Sequence, residues 1–75
     1  MINKEDLLIS IGKNIRKIRE SKKINQAELA ALCNYEKSNM SRIESGKTNL
    51  TIGTLLTISK ALDTTIIELL KVEQS

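Results

Sequence analysis

The stretch NQAELAALCNYEKSNMSRIESGK, residues 25–47, decides the fold because it predicts two short helices joined by a sharp corner. It opens with N-x-x-E, a capping-box arrangement that predicts the start of a helix over about 26–32. Asn34 tolerates the left-handed conformation that ends a helix, so a second helix is predicted over about 36–45. Gly46 is suited to end that second helix in the same way.

Three further helices are predicted around this pair, over about 4–21, 52–62 and 65–71. The first carries apolar residues at spacings of three and four, which form one buried stripe. The predicted core positions are Leu8, Ile11, Ile15, Ile18, Leu29, Leu32, Met40, Ile43, Leu55, Leu56, Ile58, Leu62, Ile66 and Leu69. Gly53 is predicted to mark a close contact within the fourth helix. The sequence therefore predicts one all-α domain of five helices over residues 1–75, in which helices four and five (about 52–71) serve the core and dimerisation.

The composition limits how so small a chain can be stabilised. It has 75 residues, one cysteine and no histidine, so neither an internal disulfide nor a zinc site of the usual ligands can support the fold. We predict that Cys33 is a packed small residue rather than a redox switch. Regular helix packing and association with a second chain remain as sources of stability.

Charge is unevenly distributed along the chain, whose formal net charge is +3. Residues 1–50 carry ten Lys and Arg against six Asp and Glu, whereas residues 51–75 carry two against three. The densest cationic segment is Lys13–Lys23, which contains a single acid, Glu20. A basic N-terminal part suits a polyanion partner, and a more apolar C-terminal part suits a protein partner. The alternative is that the cations only form an ordinary solvated helix face.

Two short helices joined by a corner of three or four residues form the helix-turn-helix motif, whose second helix, called the recognition helix, enters the DNA major groove. With about 100° between successive residues, Met40 and Ile43 of the second helix point inward. The outward and N-terminal faces carry Lys37, Ser38, Asn39, Ser41 and Arg42. Lysine and arginine can donate to guanine, asparagine can pair with adenine, and serine can donate or accept. We predict that these five side chains read bases; the alternative is a polar face that only contacts water.

From Ile11 to Leu70 the chain resembles the phage Cro/CI-type (XRE family) helix-turn-helix domain. An ordered set of motifs carries the resemblance: IRKIRE (15–20), NQAELA (25–30), MSRIESGKTN (40–49) and TLLTISKALDTTIIELL (54–70). It implies a lambda-repressor-like, all-α, DNA-binding fold and a transcriptional regulator.

The resemblance also implies roles for individual residues. Lys37, Ser38 and Arg42 match the main base-reading positions, and Asn39 and Ser41 match less regular ones. The predicted phosphate contacts are Gln26, Ser45, Lys47, Thr48 and Asn49. Gln26 would in addition brace the recognition helix, and Arg19 and Glu44 match a largely buried pair that orients it.

Three positions depart from the family pattern. Asn34 stands where glycine is common, and Leu50 stands where proline is frequent. Glu36 replaces a common serine or threonine. Its carboxylate can cap the third helix or favour cytosine N4, and the sequence leaves both roles open.

One recognition helix covers few base pairs, so selective binding favours a homodimer that places two helices about 34 Å apart. The last helix is the predicted interface. If Ile66 and Leu69 face the core, Ile67, Leu70 and Val72 are left as an outward apolar patch. The alternative is that all of them cover a single core.

The predicted function is a sequence-specific regulator that binds double-stranded DNA as a homodimer on an inverted repeat, of the small repressor or restriction–modification controller type. The alternative is an antitoxin-like or other protein-interaction module with the same fold. No enzyme activity, metal, cofactor or small-molecule effector is expected, since the chain lacks histidine and a glycine-rich phosphate loop. The apolar stretch 7–9 is too short for a signal peptide or membrane span, so a cytoplasmic protein without a membrane partner is expected.

Overall fold

The structure is a computed structural model that describes residues 3–72, and this part of the chain contains five α-helices and no strand. The helices are α1 (Lys4–Ser21), α2 (Gln26–Cys33), α3 (Lys37–Glu44), α4 (Ile52–Ala61) and α5 (Ile66–Leu70). The predicted all-α class is confirmed. Six of the ten helix ends differ from the predicted positions by one residue, and the other four agree with them. The predicted domain limits at residues 1 and 75 lie outside the described residues.

Short polar side chains cap four of the five helices. Asn3 Oδ1 accepts a 2.8 Å hydrogen bond from the backbone N–H of Asp6, three residues into α1. At α2, Asn25 Oδ1 accepts from the Glu28 N–H, and Glu28 Oε1 accepts in return from the Asn25 N–H. Threonines before α4 and α5 accept in the same way. The helix starts are therefore set locally, by the residues that the sequence pattern singled out.

Left-handed residues make the corners between helices. Asn34 has φ 60° and ψ 40°, and it turns the chain from α2 towards α3. Gly46, two residues beyond the end of α3, has φ 74°, and Asp63 has φ 53° between α4 and α5. The predicted roles of Asn34 and Gly46 in ending helices are confirmed.

The core is one cluster in which every helix takes part. Its buried apolar members are Ile11, Ile15, Leu29, Ala30, Cys33, Met40, Ile43, Leu55, Ile58, Leu62 and Leu69. Leu7, Ile18, Tyr35 and Ile66 are among the half-buried side chains that pack against it. Cys33 is buried with a free thiol, and burial raises the pKa of that thiol.

Three predicted core residues lie outside the core, so those predictions were wrong. Leu8 is half-buried away from the core cluster, and Leu7 packs against the core instead. Leu32 is 61 % exposed and Leu56 is 43 % exposed. On α2 the buried arc is set by Leu29, Ala30 and Cys33, and Leu32 falls outside that arc. Leu56 likewise lies beside the buried arc of α4 rather than within it.

The prediction for Gly53 was also wrong. A Cβ added at Gly53 would meet only the Oγ1 of Thr51, at an ordinary 3.7 Å. The residue lies in the exposed first turn of α4, with no neighbouring helix against it.

No helix within residues 3–72 combines the length and apolar character needed to cross a membrane.

Candidate DNA-binding surface

Two fully buried side chains fix α3 to the rest of the domain. Met40 is 0 % exposed and Ile43 is 2 % exposed, and both belong to the common core. Tyr35, just before the helix, packs against the same core, and its N–H donates 2.8 Å to the Ala30 carbonyl oxygen. The inward side of α3 is therefore occupied, which leaves the outward side as its available surface.

The five predicted base-reading side chains lie together on that outward side. We call Lys37, Ser38, Asn39, Ser41 and Arg42 the reading face; all five are exposed. In the part of the chain that the structure describes, none of these side chains makes an intramolecular hydrogen bond or ion pair. Their donors and acceptors are thus available to an outside partner at no cost in internal contacts.

A buried ion pair joins α3 to α1. Arg19 Nε lies 2.7 Å from Glu44 Oε2, and Arg19 Nη2 donates 3.0 Å to Glu44 Oε1. Each of the two residues is 8 % exposed. The hydrogen bond to Glu44 raises the pKa of Arg19, although burial acts in the opposite direction. The structure thus brings the predicted pair together in a two-point contact, which fixes the direction of the helix as well as its position.

Gln26 joins α2 to the same carboxylate. Its Nε2 donates 3.1 Å to Glu44 Oε1, so Glu44 is held by both helices that flank α3. A primary amide has two N–H groups, and Gln26 is also the first residue of α2, where backbone N–H groups lack helical partners. The residue can therefore brace α3 and still donate to a phosphate.

Gly12 brings the α1 backbone against the end of α3, a contact that was not predicted. A Cβ at this position would overlap the carbonyl oxygen of Glu44 and would lie 2.8 Å from that of Ile43. Gly12 and Arg19 are seven residues apart, which places them on one face of α1, towards α3. A glycine on a buried helical stripe was the available signal, but the sequence does not show which element approaches it.

The loop after α3 forms a groove with the first turns of α1. Gly46, Lys47, Thr48 and Asn49 line it together with Arg42 of the reading face and with Lys4, Glu5 and Leu8 of α1. Gly46 packs directly on α1, since a Cβ there would come within 2.8 Å of the Ile9 backbone. The predicted phosphate-binding loop is thus placed beside the reading face, and Lys4 is a cation at this site that sequence reasoning missed.

The structure limits the roles that Ser45 and Glu36 can have at the site. The Ser45 hydroxyl is exposed but donates 2.8 Å to the Ser41 carbonyl oxygen, so its proton is used within α3. Glu36 occupies the N-cap position of α3 without a side-chain capping hydrogen bond. Of the two roles open for Glu36, capping is therefore contradicted, and its exposed carboxylate lies at the start of the reading face.

Much of the basic segment on α1 faces away from α3. Lys17 lines a groove with Glu68 and Lys71 at α5, and Lys22 Nζ lies 3.5 Å from the Asp63 carbonyl oxygen. Arg16 is paired with Glu20 at 3.3 Å. The high cation density of residues 13–23 is therefore divided between several faces of the domain, and Arg19 is the cation of this segment that contacts α3, through Glu44.

The outward patch predicted on α5 is present as an apolar surface. Ile67 is 73 % exposed and Leu70 is 38 % exposed, while Leu69 is fully buried and Ile66 packs on the core. Val72, just beyond the helix, is half-buried. The alternative in which all of these residues cover a single core is contradicted for Ile67.

Within residues 3–72 no group of three or more Cys, Asp or Glu is arranged to hold a metal ion.

A left-handed corner, an anchored second helix and an outward row of small and cationic side chains define a DNA-binding helix-turn-helix domain. A model of the helix-turn-helix family HTH_3 matches residues 15–69, and the chain belongs to this family, the XRE family of transcription regulators. The predicted family resemblance is confirmed. No protein of curated function matches the chain.

Solved structures of transcription regulators share the fold. The restriction–modification controller protein C.AhdI from Aeromonas hydrophila is 31 % identical with a TM-score of 0.80, and the match covers 83 % of this chain and 94 % of that one. The controller protein C.Esp1396I is 36 % identical with a TM-score of 0.78, over 85 % of this chain and 86 % of that one. The hypothetical transcription factor NHTF from Neisseria is 25 % identical with a TM-score of 0.84, over 95 % and 82 %.

Proposed function

We propose that this chain is a sequence-specific transcriptional regulator that binds double-stranded DNA as a homodimer on an inverted-repeat operator. The reading face carries the proposal, because five exposed side chains of groove-reading types project from a helix that is anchored on its other side. Lys37, Ser38, Asn39, Ser41 and Arg42 contact base edges. The acid at Glu36 influences which base is preferred at the edge of the site.

Phosphate contacts come from the residues that flank the reading face. Gln26 lies at the N-terminus of α2, and Lys47, Thr48 and Asn49 lie in the loop after α3. Ser45 can join them only by redirecting its hydroxyl from the Ser41 carbonyl oxygen. These contacts set the register of the domain on the duplex, while the reading face supplies the sequence preference.

The homodimer forms through the α5 patch of Ile67, Leu70 and Val72. The exposed side chains of Ile67 and Leu70 support this interface, together with the limited reach of a single recognition helix. The likeness to two restriction–modification controller proteins, at 31 % and 36 % identity, favours the controller type of small regulator. The protein acts in the cytoplasm and binds DNA without a small-molecule effector.

The test compares two double variants with the same change in charge. Lys37→Ala with Arg42→Ala removes two cations of the reading face, whereas Lys22→Ala with Lys60→Ala removes two exposed cations outside it. Affinity is measured by fluorescence anisotropy on a duplex that wild-type protein selects from a random pool. The first variant should lose specific binding, at about 1–3 kcal/mol for each base-reading residue, and the second should retain most of it. Equal losses in both would show that charge alone holds the DNA. Unchanged binding in the first would favour a protein-interaction module instead.

A further inference from the structure

Asn14 connects α1 to the end of α5 across 55 residues of sequence. Its Nδ2 donates 2.9 Å to the Leu69 carbonyl oxygen, and it also donates to the carbonyl oxygen of Lys71. The residue is half-buried and lies beside the groove between α1 and α5. One amide group thus holds two backbone carbonyls on either side of the point where α5 ends.

These hydrogen bonds matter because α5 is only five residues long. A helix of this length is not stable by itself, and its last carbonyl groups have no partners within the helix. Lys71 is extended, with φ −60° and ψ 129°, so the helix does not end in a left-handed cap that would satisfy them. Buried Leu69 holds one side of α5, and Asn14 holds its C-terminal end.

The same helix, α1, holds the recognition helix on its other side. Gly12 and Arg19 face α3, whereas Asn14 faces α5, and all three lie within two turns of α1. Because α1 contacts both α3 and α5, it links the position of α5 to that of α3, although α5 also packs on α4. Ile67 and Leu70 belong to the short helix whose C-terminal end Asn14 anchors, so the patch moves if that anchor is lost.

We propose that Asn14 is a positioning residue of the dimer: it fixes the α5 patch relative to the recognition helix and thereby sets the separation of the two recognition helices. This inference rests on the proposed dimer through α5. It assigns Asn14 no contact with DNA or with the partner chain. The residue acts on operator choice through geometry, by limiting which half-site spacings the dimer can span.

The experiment uses two substitutions of Asn14 and one matched control. Asn14→Asp keeps the shape but places a carboxylate without a donor against two carbonyl oxygens, and Asn14→Ala removes the group. Ser21→Ala is the control, since Ser21 lines the same groove but its hydroxyl donates only to Ile18 within α1. Circular dichroism establishes that each variant is folded.

Two measurements follow on the full chain. Sedimentation equilibrium without DNA gives the dimer dissociation constant, and anisotropy on duplexes with different spacers between half-sites gives the spacing preference. Both Asn14 variants should dimerise at least about tenfold more weakly, because part of the association free energy is then needed to hold α5 in the position that Asn14 no longer fixes. They should also lose discrimination between spacers, while their affinity for a single half-site stays that of the wild type.

The outcomes separate this inference from the proposed function. A wild-type dimer together with Asn14 variants that match it within twofold, and that prefer the same spacer, would overturn the role of Asn14 alone. A wild-type chain that stays monomeric on its selected duplex would overturn the dimer and this role with it. Weakened half-site binding in the variants would show a general loss of structure and would also contradict the inference.

Discussion

Gly12 shows how one missing side chain can set the position of a functional helix. A Cβ at this position would overlap the Glu44 carbonyl group at the end of α3, so no larger side chain fits there. Gly53 offers the opposite environment, with open space and a helical backbone. The two glycines therefore form a natural pair for separating a packing role from the backbone preference of glycine.

Gly12→Ala should destabilise the domain and weaken specific DNA binding, because the added methyl group forces α1 and α3 apart. Gly53→Ala should stabilise it by up to about 1 kcal/mol, since alanine is the better helix former. Urea unfolding followed by circular dichroism measures both. Equal stabilisation by the two substitutions would show that α1 and α3 are not in the close contact described.

Arg19 and Glu44 are charged side chains in a place that is nearly closed to water, at 8 % exposure each. Such a pair adds little net stability, because the loss of hydration offsets the attraction, but breaking it leaves a buried charge alone. The role that follows is orientation of α3 rather than stabilisation of the fold. The exposed pair of Arg16 and Glu20 on the same helix has no such role.

Glu44→Ala should therefore lower the unfolding free energy by about 3–5 kcal/mol, since it removes the partner of a buried guanidinium. Glu20→Ala breaks the exposed pair and should cost less than about 1 kcal/mol. Chemical denaturation at neutral pH compares them. Equal losses for the two substitutions would show that Glu44 does not neutralise a buried guanidinium at α3.

At the scale of the helices, local signals predicted where elements begin and end. Asn3, Asn25 and Thr51 each accept the backbone hydrogen bond that a capping residue is expected to accept. Asn34 has the left-handed backbone that its residue type allows. These features depend only on neighbours in sequence, so the sequence is sufficient to identify them.

Burial of individual positions was less predictable, because it depends on which element packs against which face. Leu32 and Leu56 have the residue type of a core position but lie beside the buried arcs of their helices. The cations of residues 13–23 appeared to form one basic surface, yet the structure directs Lys17 and Lys22 towards α5 and the turn before it. The sequence pattern alone does not show which helix packs against which face.

The position of Lys47 in the loop after α3 leads to a prediction about the salt dependence of DNA binding. If Lys47 contacts a phosphate, Lys47→Ala should make the slope of log K against log salt shallower by about 1, with the sequence preference unchanged. Lys60→Ala, an exposed cation on α4, is the control and should leave the slope as it is. A wild-type slope near zero would contradict phosphate binding altogether.

For the molecule as a whole, the central structural feature is that α1 lies between the recognition helix and α5. It contacts α3 through Gly12 and Arg19, and α5 through Asn14. A change at the proposed dimer interface therefore alters how two reading faces are presented to one duplex. The α5 patch was identifiable from sequence because Ile66 and Leu69 already account for its inward side.

Ile67→Glu should abolish the dimer while the monomer stays folded, because Ile67 is 73 % exposed and a charge there is buried only on association. Leu32→Glu is the matched control, since Leu32 is also an exposed apolar residue, at 61 %, but lies on α2. Sedimentation equilibrium without DNA distinguishes them. A dimer that survives Ile67→Glu would place the interface on another face.

Selection of bound sequences from a random pool of duplex DNA shows whether the reading face recognises a specific sequence. A dimer that presents two reading faces should enrich an inverted repeat whose half-site centres lie about 10 base pairs, one helical turn, apart. The Lys37→Ala, Arg42→Ala variant should fail to enrich the same repeat. Recovery of sequences with no shared motif, or of the same motif by this variant, would contradict the proposal that the reading face of α3 recognises DNA.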